Sequence, residues 1–573
     1  MSSRRPTIDI ILHLSALLTG FGFRFLNLGN LPLSDNEANW ALQAYHVTQG
    51  LKPEIGSNPA YVHLTAILFF IFGTFNFMAR FWPAFAGSLL ILVPLLFKER
   101  IGRIPTILLM WFLAIDPGMI ASSRTAGSWI MAITSMLFAW GFWIKGKYFP
   151  AGICFALAIL SGPGTWMGFF VLGLTLLIRN ILLSKGSAEY KKGIETKTLW
   201  AGSWNDVKPA MVGGGATLIF IGTLFLFSPN GISGIYTGFA DFISGWWTSS
   251  QVPISHILVA LPAYALLPLI FGILSAVKGF HRRDPLTLDL TIWALSAFII
   301  VIAYPNRLVS DLIWVLIPLW TLASLELSTL FEIDQVNILE ALGVATVVIT
   351  ILIFAWLDLA GASSTGFNSA LGELRILLLV GALLLAGIIL VLVTMGWSKN
   401  LARLGGTGGA TIALIIYTLG VATGAAGVKH PATVELWNQS PEIKDSALIL
   451  KIADQISDWN KGNVNSLPIV INGIDSPALS WLFRDWNVSE EEALSPNKNP
   501  EIVITRKDET LNLSAAYRGE ALIWRETPNW NQGTLQDWIK WLVYREFPST
   551  EESLIFWVRT DLSIDIQNQT NTP

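Results

Sequence analysis

Asp35-Asn36-Glu37 sets two carboxylates two residues apart just past the first membrane-length apolar stretch of the chain, near 8–27. Charge beside a bilayer is costly unless water, a partner or a substrate compensates it, so an acidic pair at this place marks a polar site by default. Ser34 precedes Glu37 by three residues and completes the signature of a helix capping box. The two readings are compatible. A helix amino terminus fixes side chains and favours negative charge, so one carboxylate can cap the helix while the other turns into a cavity. Trp40, Ala41, Ala44 and Tyr45 supply one apolar face for that helix. His46 and His63 could complete a divalent-metal site with Asp35 or Glu37, yet their spacing forms no zinc signature, and no cofactor is assigned. Asp241, close to Tyr236 and Trp246-Trp247, could line an acceptor groove, although aromatic residues are expected at membrane interfaces in any case.

The elements that must position these residues follow from composition. With 53% hydrophobic residues, 13% charged and a mean hydropathy of +0.54 over 573 residues, the chain reads as a polytopic α-helical membrane protein. Apolar runs suggest thirteen transmembrane helices, from one near 8–27 through 79–97, 104–121, 128–144, 149–165 and 210–228 to a last near 408–427. The stretch 60–77, broken by His63, Gly73 and Asn76, is short for a span and reads as an interfacial or re-entrant helix within a first external loop, 28–78. Lys and Arg crowd alternate loops, as at Lys98, Arg100 and Arg103, at Lys145 and Lys147, and at Lys278, Arg282 and Arg283, which places the amino terminus in the cytoplasm. An odd number of spans then puts 429–573 outside. This tail changes pattern to an α/β alternation, with helices expected at 448–459, 477–486 and 535–544, strands at 468–474, 501–505 and 554–559, and a disordered end at 565–573. The one cysteine, Cys154, lies in an expected span, so no intramolecular disulfide can hold the tail.

In this setting the residues resemble the GT-C class of integral-membrane glycosyltransferases, in particular the branch of protein O-mannosyltransferases and the lipid A aminoarabinose transferase. Glu37-Ala38-Asn39-Trp40-Ala41 and Gly50 match that branch's acidic motif and the small helix after it. Pro59, Gly73 and Arg80 match its next block, and Arg124 within DPGMIASSRTAGSW its third. SPALSWLFRDW and WIKWLVYREFP in the tail are similar to prokaryotic flippase-associated glycosyltransferases. The resemblance implies a cell-membrane, cell-envelope enzyme that moves a sugar from a polyprenyl-phosphate donor to a hydroxyl of a glycan, lipid or protein acceptor on the extracytoplasmic side, with inversion. Asp35 or Glu37 would be the general base, and Arg80, Arg124 and Arg307 would bind the donor phosphate, their planar forks suiting phosphate oxygens.

Two departures stand against it. The aspartate of the family's acidic pair falls on Asn36, which cannot act as a base, and Asp35 is displaced by one residue, about 100° around a helix. An acidic residue of the third block is replaced by Gly127 and Ser128, with Asp116 a weak substitute. These leave open an alternative, a non-catalytic partner of a glycan-export or flippase complex that keeps the GT-C fold. The net charge of −3 argues against a nucleic-acid partner, and no Walker A sequence supports ATP-driven export within the chain.

Overall fold

Proline and glycine cut the apolar first half into shorter helices than hydropathy suggests. The computed structural model describes residues 4–185, 204–250, 252–333, 336–428, 434–438, 440–495, 498–509 and 513–562. The helix Tyr148–Ile159 has 12 residues and ends before Gly162-Pro163, where Gly162 takes φ +90°. At 1.5 Å per residue it reaches about 18 Å, well short of a roughly 30 Å hydrocarbon core. Helices Arg103–Ile115 and Pro117–Ser123 meet at Asp116 with a bend of 56°. Proline cannot continue the first helix but suits the opening turn of the second. Among the described residues eight helices are long and apolar enough to cross a membrane, or nine if the bent pair is one span, so the thirteen expected from hydropathy are not reached.

The first long helix, Arg4–Phe25, hands the chain to a short turn and then to the helix Asp35–Thr48. The latter buries Glu37, Ala38, Ala41 and Ala44, a stripe of mostly small residues that lets neighbours approach closely. Trp40 and Tyr45 flank that stripe, so the apolar face lies one residue round from the one expected. The helix Pro59–Phe72 follows and is packed inside the protein, with Tyr61 and His63 fully buried. It ends at Gly73, whose φ of +93° a side chain would strain.

The tail carries a six-stranded mixed sheet in the order β1-β5-β6-β4-β2-β3, with β1 Glu442–Ile443, β2 Ile469–Asn472, β3 Val488–Glu491, β4 Ile502–Arg506, β5 Tyr517–Pro528 and β6 Ser549–Arg559. Strands β2, β3 and β4 are parallel, whereas β4–β6, β6–β5 and β5–β1 are antiparallel. Ile469, Val470 and Ile471 in β2 and Ile502, Val503 and Ile504 in β4 are all buried, as expected of central parallel strands covered on both faces. In β6 burial alternates through Leu554, Phe556 and Val558. Helices Ser446–Lys461, Pro477–Leu482 and Leu535–Tyr544 occupy the three places expected. The expected end segment 565–573 and the start of the tail at 429–433 lie outside the described residues.

Candidate active site

Ser34 caps the Asp35–Thr48 helix, and the capping box expected from the sequence is formed. The Glu37 carboxylate also accepts far more than the cap. Oε1 takes the Arg80 Nε–H at 2.7 Å and the Ala126 amide at 2.9 Å. Oε2 takes Arg80 Nη2 at 2.7 Å, the Ser34 amide at 3.1 Å and the Ser34 hydroxyl at 3.3 Å. Burial pulls its pKa upward, but the Arg80 charge and these donors outweigh burial and hold Glu37 below the ordinary carboxylate range. A carboxylate so saturated is a poor proton acceptor.

Arg80 is equally committed. Its remaining donors go to the carbonyls of Leu28, Leu31 and Pro32 at 2.9 to 3.1 Å, so it ties the turn after the first long helix to the acidic motif. Arg124 turns Nη1 to the carbonyls of Phe23, Arg24 and Leu26, while among the described residues its Nη2 has no partner. Arg24 is fully buried and donates to Ser123 and to the Leu113 and Ala114 carbonyls. The three sequence blocks thus converge: Glu37 from the first, Arg80 from the second, and the Arg124–Trp129 loop from the third.

Asp35 faces the tail. Oδ1 accepts the Ser476 hydroxyl at 2.6 Å and the Ala478 amide at 3.1 Å, and Oδ2 accepts Arg525 Nε at 2.9 Å and Nη2 at 2.8 Å. Ser476 in turn accepts the indole N–H of the fully buried Trp524. Nearby, Arg484 donates to the Thr74 carbonyl at 2.8 Å and Trp481 to Asn76 at 2.9 Å. The acidic motif is therefore divided, Glu37 serving the membrane part and Asp35 the tail. Asn36, between them, is exposed.

Beside this region lies a cavity of about 270 Å³ lined by Trp40, Ser57, Asn58, Gly127, Trp129, Pro163, Asp241, Ser244, Tyr304, Asn306 and Leu308. Asn58 caps the Pro59–Phe72 helix and donates to the Gly127 carbonyl at 3.2 Å. Gly127 has φ +73°, and a Cβ there would meet the Trp40 ring at 2.3 Å, so glycine is what lets the third block close on Trp40. Asp241 stands on the helix Ser233–Ser244, whose Gly234 and Gly238 let it pass close to Pro59 and the Ser57 carbonyl. Phe242 stacks on Tyr304 at 5.5 Å, and the Tyr304 hydroxyl donates to the Phe242 carbonyl at 3.0 Å. Burial, with Asp311 and Asp241 nearby, raises the Tyr304 pKa and keeps this phenol protonated. Arg307, between the cavity-lining Asn306 and Leu308, donates Nη1 to the Val252 carbonyl at 3.3 Å, and its Nε is buried without a partner.

The other sequence candidates sit apart. His63 faces the Ile221 carbonyl at 2.7 Å, and His46 lies in the last turn of the Asp35–Thr48 helix. No cluster of three or more His, Cys, Asp or Glu able to hold a metal occurs among the described residues. Asp116 is fully buried, caps the Pro117–Ser123 helix through the Met119 amide and accepts the Trp320 indole at 2.7 Å, which is a structural use. Sequence reasoning missed Ser57, Asn58, Trp129, Tyr304 and Asn306 as lining residues. They come from segments far apart in the chain, and no spacing in the sequence marks them together.

Membrane-length helices, an acidic helix held by arginines and a sheet-bearing tail define a polytopic membrane protein, and its likeness to solved structures gives it the GT-C fold. The aminoarabinose transferase ArnT from Cupriavidus metallidurans, in the structure bound to undecaprenyl phosphate, is similar to it at 13% identity and a TM-score of 0.56 over 98% of this chain and 100% of that one. The apo state of the same transferase matches at 15% identity and a TM-score of 0.55, over 88% and 94%. No protein-family sequence model matches the chain, and no curated protein matches it by sequence.

Proposed function

We propose that this protein is a membrane glycosyltransferase that takes a sugar from a polyprenyl-phosphate carrier and delivers it to an acceptor hydroxyl on the extracytoplasmic side. The observation that carries this reading is the cavity beside the acidic motif. It combines a carboxylate, two tryptophan rings suited to the C–H faces of a sugar, and amide and hydroxyl groups suited to its hydroxyls. At about 270 Å³ it lies at the small end of ligand cavities and suits one sugar ring rather than an oligosaccharide. Undecaprenyl phosphate bound to ArnT, which shares the fold end to end, supports a carrier of that kind.

In this reading 1–428 is the transferase part, with its amino terminus in the cytoplasm, and 429–573 an extracytoplasmic α/β domain. Arg124 and Arg307 keep donors to spare and bind the leaving phosphate, where charge grows in the transition state. Arg80, with its donors spent on Glu37 and three carbonyls, positions the acidic loop.

The saturation of Asp35 and Glu37, together with Asn36 between them, favours a second reading, the non-catalytic partner of an export complex. Purified chain in nanodiscs, given radiolabelled undecaprenyl-phosphate-linked hexose or pentose and a detergent extract of the host's envelope as acceptor, separates the two. Transfer of label off the lipid supports the enzyme. Binding of the lipid without transfer, under conditions where an active GT-C enzyme turns over, supports the partner.

A further inference from the structure

With both motif carboxylates filled, the proposed reaction still needs a proton acceptor. Asp241 lines the cavity on an exposed stretch of the helix Ser233–Ser244, and among the described residues no hydrogen bond or ion pair engages its carboxylate. Its place is built. Gly234 and Gly238 bring the helix against Pro59 and the Ser57 carbonyl, and Gly245 admits the Tyr304 hydroxyl, which a Cβ there would meet at 1.9 Å. The Asn306 amide donates to the Gly245 carbonyl at 3.1 Å, tying the helix end to the loop that carries Arg307. The carboxylate thus lines the cavity from one segment, and Arg307, whose buried Nε has no partner, stands between the lining residues Asn306 and Leu308 on a second segment locked to the first.

We propose that Asp241 is the general base of the transfer, acting on the acceptor hydroxyl within this cavity. The inference rests on the transferase reading above and names a residue of that same site. The Asp241 carboxylate takes the hydroxyl proton as the acceptor oxygen forms its bond to the anomeric carbon. The bond from that carbon to the phosphate oxygen breaks, and the polyprenyl phosphate leaves with the electron pair, beside Arg307. The proton ends on Asp241 and the sugar is inverted. Asp35 and Glu37 then position the loop and take no proton.

The test compares wild type with Asp241→Asn and Asp241→Glu as full-length chains in nanodiscs, using undecaprenyl-phosphate-linked hexose or pentose and the same envelope extract. General-base removal typically costs about 10²- to 10⁴-fold. The expected result is a loss of that size in Asp241→Asn, with undecaprenyl phosphate still bound as in wild type. Partial recovery in Asp241→Glu and loss of the acidic limb of the pH–rate profile in Asp241→Asn are expected too, and a merely structural residue would move neither. Transfer by Asp241→Asn within about threefold of wild type overturns the assignment of the base and leaves the transferase reading standing. A wild-type chain that transfers from no such donor, whether or not it binds undecaprenyl phosphate, overturns both.

Discussion

Asp35→Asn and Arg525→Met form a pair of variants that should behave alike. Each removes the ion pair between the first loop and the tail, in which two charge-assisted N–H···O bonds run at 2.9 and 2.8 Å. Such bonds contribute about 1.5 to 3 kcal/mol each when well enclosed. Here the side chains are 16% and 17% exposed, Arg525 keeps Glu552 at 3.3 Å, and Asp35 keeps Ser476 and Ala478. Discounting for solvent screening and for those remaining partners leaves roughly 2 kcal/mol for the contact, or about a 30-fold change in local opening. Amide hydrogen exchange reads it directly, because the Ala478 N–H ends on Asp35. Exchange across 476–482 should quicken by about that factor in both variants, and sugar transfer should fall to a similar degree in both. A different pattern would refute the reasoning. If Asp35→Asn lost transfer by 10² or more while Arg525→Met stayed near wild type, Asp35 would be doing chemistry, and the latch would be incidental.

Arg80→Met should be more damaging to folding than either, since it strands the buried Glu37 charge. A cost of about 3 to 5 kcal/mol is expected, seen as a fall in thermal stability that Glu37→Gln combined with Arg80→Met partly relieves. The Glu37 pKa is depressed by Arg80 and the surrounding donors, so its stabilisation is complete above the ordinary value near 4.5 and is lost as pH falls through the lower folded value. Thermal scans from pH 6 down to 3 should therefore show a loss confined to the acid end in wild type. In Glu37→Gln that step should be smaller.

The sequence made some of this architecture legible and hid the rest for identifiable reasons. The capping box at Ser34 and Glu37 is local, and it formed as read. The tail helices and strands β2, β4 and β6 were marked by periodicity over short runs. β5 was not, because its first part, Arg518 to Ala521, is exposed, without an apolar alternation, and gains its strand character from pairing with β6. The count of thirteen is not reached because the expected spans near 79–97, 128–144, 149–165 and 210–228 carry helices of 15, 15, 12 and 17 residues, and hydropathy alone does not show where a helix stops inside an apolar run. As for the site, the convergence of Glu37, Arg80 and the Arg124 loop followed the order of the blocks. That Arg80 would be consumed by Glu37, and Asp35 by Arg525, depends on tertiary geometry that spacing does not carry.

The bond between Asp35 and Arg525 joins residues 490 positions apart. At a synthesis rate of about 5 to 20 residues per second, the acidic loop is made roughly half a minute to a minute and a half before its partner exists. During that interval the growing chain presents Asp35 with its carboxylate unanswered. A product truncated anywhere before Arg525 never acquires the answering guanidinium, so this one contact distinguishes chains that reach the fifth strand of the tail from those that stop short of it.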